Sequence, residues 1–197
     1  MKVLVACEYS GRVRDAFSAR GHYAVSCDIL ETESVGNHHK GDIEEILYQD
    51  WDLLIAHPPC TYLANSGVQH LHKYPERWAQ LDDGAAFFKL LLNANHIPKR
   101  CIENPIMHKY GKERIGGVKQ SQVIQPWMFG HMEQKATCLW LHGLDLLKPT
   151  NIVKDEMMLL PKNERERLHY LAPSKNRWRE RSRTYQGIAD AMAAQWG

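Results

Sequence analysis

Two short segments hold the residue types from which a nucleophilic site can be built. The first is His57-Pro58-Pro59-Cys60, which ends an apolar run from Trp51 to Ala56. Proline fixes φ and lacks a backbone donor, so the pair halts strand pairing and turns the chain away from the sheet edge. That turn predicts a Cys60 thiol at the edge, partly open to solvent, where nearby cations or a helix N-terminus would favour the nucleophilic thiolate. The second segment is Glu103-Asn104-Pro105, which follows the short apolar element Arg100-Cys101-Ile102 in the same order of strand, carboxylate and breaker. Beside a thiolate, a carboxyl group with a raised pKa can protonate a ring nitrogen while sulfur adds to the adjacent carbon.

These residues need elements to position them. Lys2 to Cys7 predicts a buried parallel strand, and Arg12 to Arg20 a helix with Val13, Ala16 and Phe17 inward and Gly21 as its stop. His22 to Ile29 returns to strand character, which makes a βαβ opening. Further on, Trp78 to Ala94 reads as a long helix, Thr137 to Leu141 as a strand and Gly187 to Trp196 as a terminal helix. The alternation predicts a doubly wound, mostly parallel α/β sheet in a single domain spanning 1–197. Glu8, Asp28, Asp42, Cys60 and Glu103 each follow an apolar run or precede the next element, at the edge where open α/β sheets bind ligands. Gly11 in the first turn and Asp28 at the end of the second strand suit a nucleoside-containing ligand. The loop lacks the glycines that a dinucleotide pyrophosphate requires.

With 197 residues, 44% of them hydrophobic, the chain can bury one substantial core. The formal charge of +2 is uninformative, but basic residues clearly outnumber acidic ones between Lys148 and Arg183. Within that stretch, Arg177, Arg179, Arg181 and Arg183 surround Trp178, a pattern suited to phosphates and a stacked base. Trp127, Phe129, Trp140 and Trp196 read as core. The five cysteines include no Cys-x-x-Cys pair, which argues against a disulfide framework or zinc ribbon. No metal is expected: His38, His39, His70 and His72 read as exposed loop histidines without a supporting ligand cluster. No apolar run would span a bilayer, so the expectation is a cytoplasmic protein with no membrane partner. Asn65-Ser66-Gly67 reads as a flexible loop over the site.

In order, Glu8-Tyr9-Ser10-Gly11, Asp28, Gly41-Asp42-Ile43, Pro58-Pro59-Cys60, Glu103-Asn104-Pro105 and Gly187-Ile188-Ala189 resemble the motifs of DNA cytosine carbon-5 methyltransferases. The likeness is to a short, often phage-encoded branch of that family. It implies a Rossmann-like methyltransferase fold, S-adenosylmethionine as cofactor, and transfer of a methyl or related alkyl group to carbon 5 of cytosine in DNA. By the resemblance, Glu8, Tyr9, Ser10 and Gly11 would form the first cofactor loop, and Asp28, with Ile29 beside it, would hold the ribose. Asp42 would meet the adenine amino group with Ile43 against the ring, and Pro58 and the Gly187 segment would also border the cofactor. Cys60 would add to carbon 6 of cytosine while Glu103, next to Asn104, holds and protonates ring nitrogen 3. Lys135 and Thr137 fall where the family has an arginine-bearing strand contacting the substrate.

The departures limit what is implied. Cys7-Glu8-Tyr9-Ser10 replaces a more glycine-rich loop, and Lys135 lacks the planar fork of arginine. Residues from about 142 to 183 form a basic insertion too short for a separate target-recognition domain. Phosphate binding by Arg177, Trp178, Arg179, Arg181 and Arg183 would then dominate over sequence reading. A free cytidine nucleotide or a single strand stays open as substrate. So does a non-catalytic binding role that relies on a protein partner or a second copy of the chain.

Overall fold

Runs of branched and small apolar residues form the strands of one sheet, described here from a computed structural model covering residues 1–197. The strands are β1 (Lys2–Ala6), β2 (Tyr23–Asp28), β3 (His38–Lys40), β4 (Leu53–Ala56), β5 (Lys99–Pro105), β6 (Gln122–Ile124) and β7 (Thr137–His142). They lie in the order β3-β2-β1-β4-β5-β7-β6. The first five positions run parallel, and β7 is antiparallel to both β5 and β6. The helices are α1 (Arg12–Ser18), α2 (Glu44–Leu47), α3 (Gln69–Lys73), α4 (Arg77–Leu92), α5 (Lys109–Arg114), α6 (Lys154–Met158), α7 (Lys162–Arg165), α8 (Arg167–Tyr170), α9 (Arg177–Ser182) and α10 (Gln186–Trp196).

Every residue of β4 is fully buried, as are Val3 to Ala6 of β1, which explains why these strands read as unbroken apolar runs rather than alternating ones. Alternate side chains feed two cores. Leu4, Leu54 and Ile102 meet Leu81 and Phe88 of α4 on one face, while Val3, Val5, Leu53 and Ile55 meet Phe17 of α1 and Met192 of α10 on the other. The molecule is therefore a doubly wound, Rossmann-like α/β sheet. Its strand order reverses at β1 and β4, so the ligand crevice of such a sheet lies beyond the C-terminal ends of these two strands.

Several local expectations need correction. Strand β1 stops at Ala6 because Cys7 takes a left-handed backbone with φ 58°, a conformation that costs a non-glycine residue about 1–3 kcal/mol. His38 and His39 are not in a loop: they form β3 beside β2, where His38 bonds Ser26 and the Leu30 carbonyl. His70 and His72 lie in α3. Glu103-Asn104-Pro105 does not follow β5 but completes it. Antiparallel pairing with β7 extends that strand, and proline is tolerated at its last position. The 142–183 segment folds as four short helices whose Leu168, together with Leu147, joins the core beneath α10. No helix is long and apolar enough to cross a membrane.

Arg14 carries no burial signal in the sequence, yet its side chain is 1% exposed. Nε donates to Asp15 Oδ1 at 2.8 Å, and Nη1 donates to Ser26 Oγ at 3.1 Å and Thr32 Oγ1 at 3.2 Å. Nη2 donates to Ser34 Oγ at 2.5 Å. The guanidinium thus ties α1 to β2 and to the loop after it. Gly11 is required nearby: it has φ 72°, and a Cβ there would collide with Ser34 and with Arg14 itself. Replacing Arg14 with Met leaves these partners unsatisfied, and we expect a loss of about 2–4 kcal/mol in urea denaturation.

Candidate active site

The site begins where β4 ends. The His57 N–H makes the last ladder bond, to the Ala6 carbonyl at 2.9 Å, and Pro58 and Pro59 can make no more. The chain then turns tightly, with the Cys60 carbonyl accepting from the N–H groups of Leu63 and Ala64. The neighbouring strand fixes this turn. Asn104 Nδ2 donates to the Pro58 carbonyl at 2.9 Å, and Asn65 N–H donates to the Ile106 carbonyl at 2.8 Å. Asn65–Gly67 is accordingly a short 3-10 turn stitched to the end of β5. Cys60 and Glu103, 43 positions apart by their numbers, thus lie at one sheet edge.

The arrangement includes a residue that strand periodicity did not single out. His57 Nδ1–H donates to Glu103 Oε2 at 2.9 Å, with side-chain exposures of 8% and 19%. Burial alone would push the imidazole pKa down, but the hydrogen bond and charge of Glu103, with Glu8 beyond, hold it above its ordinary value. Burial would likewise push the Glu103 carboxyl up, but the hydrogen bond and charge of His57, with Lys135, hold it below. For Cys60, burial and then the Glu103 charge raise the thiol, and Lys135 and Arg181 oppose them. The expected proton-donating carboxyl is therefore corrected: Glu103 rests as a carboxylate, because an imidazole 46 residues away in sequence supplies a partner that burial would otherwise deny it.

The residues expected around the cofactor divide into two groups. Glu8 is 3% exposed, and its carboxylate accepts from the N–H groups of Val13 at 2.7 Å and Arg14 at 3.2 Å, so it caps α1 and is spent on the fold. Ser10 is buried against it, with Oγ donating to Glu8 at 3.4 Å. Ile43 is packed in the core at 4% exposure and is not free to meet an adenine ring. Gly187 is needed for helix packing, since a Cβ there would strike the Phe129 carbonyl. By contrast, Ile29 is 75% exposed at the crevice. Asp28 beside it is half-buried, and burial raises its carboxyl despite a backbone donor from Leu30. Ribose hydroxyls would supply further donors, and a flat ring has Ile29 to lie against. On those two residues, the end of β2 fits a nucleoside-containing ligand. Asp42 is exposed and accepts from the Glu44 N–H at 3.0 Å at the start of α2, while Pro58 is buried.

The basic stretch is not the open phosphate surface expected of it. Helix α9 lies across the ligand edge: Tyr9 Oη donates to the Arg179 carbonyl at 2.7 Å, and Arg12 donates to the Thr184 carbonyl at 2.7 Å. Lys135 Nζ donates to the Arg181 carbonyl at 2.9 Å. Arg183 forms a two-pronged pair with Glu33 at 2.8 and 2.7 Å and also bonds Glu180. Arg177 donates to the His169 carbonyl, and Arg179 sits over the rings of Tyr9 and Trp178. Arg181 is exposed and Trp178 is 48% exposed, so these two keep surface available. No group of three or more His, Cys, Asp or Glu side chains is arranged to hold a metal ion.

No family model matches the chain, and no curated protein matches it. Among solved structures, the methyltransferase EhMeth of Entamoeba histolytica aligns at 13% identity with a TM-score of 0.49, over 77% of this chain and 57% of that one. The bifunctional kinase-methyltransferase WbdD aligns at 13% identity and a TM-score of 0.43, over 74% of this chain and 35% of its own. The chain thus spans little more than half of one and about a third of the other. Likeness of this degree assigns no activity, and the fold class rests on the strand order itself.

The ion pair ties stability to pH. Glu103 has a lowered pKa, so its contribution is present above the unfolded carboxyl value and lost as pH falls through the folded one. His57 has a raised pKa, so its contribution is present below the unfolded imidazole value and lost as pH rises through the folded one. Both are complete between about pH 4.3 and about pH 6.5. The stability gap between wild type and Glu103→Gln, measured by denaturation, should be widest there and shrink on either side. A separate expectation concerns the thiol: iodoacetamide should alkylate Cys60 several-fold faster in Glu103→Gln, and slower in Lys135→Gln, at the same pH.

Proposed function

We propose that the chain transfers a methyl or related alkyl group from S-adenosylmethionine to carbon 5 of cytosine in DNA, through a covalent adduct of Cys60. The observation that carries this reading is the gathering of one thiol, one carboxylate and the cations Lys135 and Arg181 at the sheet edge, beside the Asp28–Ile29 position that fits the cofactor. A nucleophile, a proton carrier and a nucleoside position are the parts that addition to a pyrimidine requires.

The resting charges suggest the order of events. Cys60 holds its proton and Glu103 lacks one, so the carboxylate can accept the thiol proton as the base arrives. Sulfur then bonds to carbon 6, the carbon 5–carbon 6 π pair shifts to join carbons 4 and 5, the carbon 4–nitrogen 3 π pair moves onto nitrogen 3, and that nitrogen takes the proton from Glu103. Lys135 and Arg181 steady the sulfur anion while it is exposed to the low dielectric of the site. When bound at Asp28 and Ile29, S-adenosylmethionine supplies an electrophilic methyl group for the activated carbon 5. Solvent water then takes the carbon-5 proton, its bonding pair forms the carbon 5–carbon 6 double bond as the carbon–sulfur bond breaks and Cys60 leaves as thiolate, and nitrogen 3 returns its proton to Glu103.

A second reading keeps this chemistry on a single strand or a free cytidine nucleotide. It is favoured by α9, which lies across the edge and engages Arg179 and Arg183 internally, leaving few groups for a duplex groove. A duplex would also have to present its base flipped out, at a cost of a few kcal/mol. Recognition of a duplex would then draw on a protein partner or a second copy of the chain. A free thiol nucleophile suits the reducing cytoplasm, where we place the protein.

The test is covalent trapping with 5-fluorocytosine, whose fluorine cannot leave as a proton does. Wild type with methyl donor should form an adduct visible by mass with a duplex, a single strand or a nucleotide, and Cys60→Ser should form none. Glu103→Gln should slow adduct formation about 10²-fold or more. A wild type that forms no adduct with any of the three substrates would refute the proposal.

A further inference from the structure

We infer that His57 acts through Glu103 as a positioning residue, its buried imidazole anchoring one carboxylate oxygen so that the other is presented to Cys60 and the base. The inference rests on the cytosine addition proposed above and assigns a role to a residue which that chemistry did not name.

Register explains why the two side chains meet. Ala56 of β4 is paired with Ile102 of β5, so the next step along both strands brings His57 beside Glu103 on a common face. Two successive cross-links follow: the imidazole to Glu103 at 2.9 Å, then Asn104 Nδ2 to the Pro58 carbonyl at 2.9 Å. The His57 backbone is held on both sides, by its own ladder bond to Ala6 and by Pro58, which confines the preceding residue to extended conformations. The ring therefore has little freedom to leave the carboxylate.

The other end of the ring strengthens the case. His57 Nε2 is buried and has no hydrogen-bond partner, although the side chain is only 8% exposed. Buried polar atoms are nearly always satisfied, so an orphan here marks a ring placed for what Nδ1 does. The charges facing the pair come from every neighbouring element. Glu8 lies in the β1–α1 loop and is itself capped by α1 next to Arg14, while Lys135 precedes β7. Cys60 follows in the turn, and Arg181 reaches it from α9. Among these, Glu103 is the sole hydrogen-bonding partner of the imidazole. Without the imidazole, burial would push the Glu103 carboxyl up with Lys135 alone opposing it, and Glu103 would accept the thiol proton less readily at low pH.

His57→Asn separates charge from shape, because its Nδ2 lies near the position of Nδ1 and can donate but cannot ionise. In 5-fluorocytosine trapping, its acid limb should move to higher pH by about one unit or more, with a fall of about tenfold on that limb near pH 4 and near wild-type rates near pH 9. A profile that overlays wild type, or one lowered equally at every pH, would overturn the inference, since a merely structural role scales the whole curve. A second measurement needs neither substrate nor turnover: ¹³C-histidine NMR titration of wild type and Glu103→Gln. His57 should titrate above an ordinary histidine in wild type and drop on loss of the carboxylate. Titration at or below the ordinary value in wild type would overturn the inference even if His57→Asn fails to fold. If the pair titrates as expected and no adduct forms with any substrate, the functional proposal fails and the inferred role for His57 fails with it.

Discussion

Two adjacent cross-links between the end of β4 and the last residues of β5 organise the site. One is ionic, from His57 to Glu103, and the other is an amide-to-carbonyl bond from Asn104 to Pro58. Together they bring a proline-terminated strand and an extended one to a common edge, and the ionic one holds Glu103 as a carboxylate there. An isolated buried carboxylate would neutralise itself, and an isolated buried thiol would stay inert. The imidazole removes the first difficulty, and the cations Lys135 and Arg181 oppose the second. Chemistry at this edge depends on that balance more than on any single side chain.

Much of the scaffold was legible because parallel sheets bury both faces. Val3 to Ala6 and Leu53 to Ala56 are buried throughout, and such runs announce themselves without any periodicity. The strand breaks after Ala56 and near Glu103 then placed Cys60 and the carboxylate at one end of the sheet. Short polar strands were not legible: β3 is His38-His39-Lys40, held by a ladder to β2 and by the bond of His38 to Ser26, and neither leaves a local signature.

Charged residues were the hardest to read, for one physical reason. A guanidinium or carboxylate is assigned to water unless its partner is known, and partners lie far off in sequence. Arg14 is internal because Ser26, Thr32 and Ser34 fold back onto it. Glu8 serves the start of α1 because that helix begins above it. Glu103 is ionised because His57 faces it, and a histidine before two prolines gives no pattern to detect. The arginines around Trp178 suggested phosphate contacts, yet Arg183 is satisfied by Glu33 across 150 residues.

Helix α9 has a kinetic implication. The helix and the two residues after it are fastened at Tyr9, Arg12, Glu33 and Lys135, on separate stretches of the chain, by contacts that each contribute about 0.5–1.5 kcal/mol. If these release together, the free-energy gap is on the order of 2–6 kcal/mol, so the unfastened form is a minor population at any instant. Any occupant that needs the space beneath the helix binds more weakly by that same fraction. For the transfer proposed above, the helix would have to part from the sheet before sulfur could meet a base.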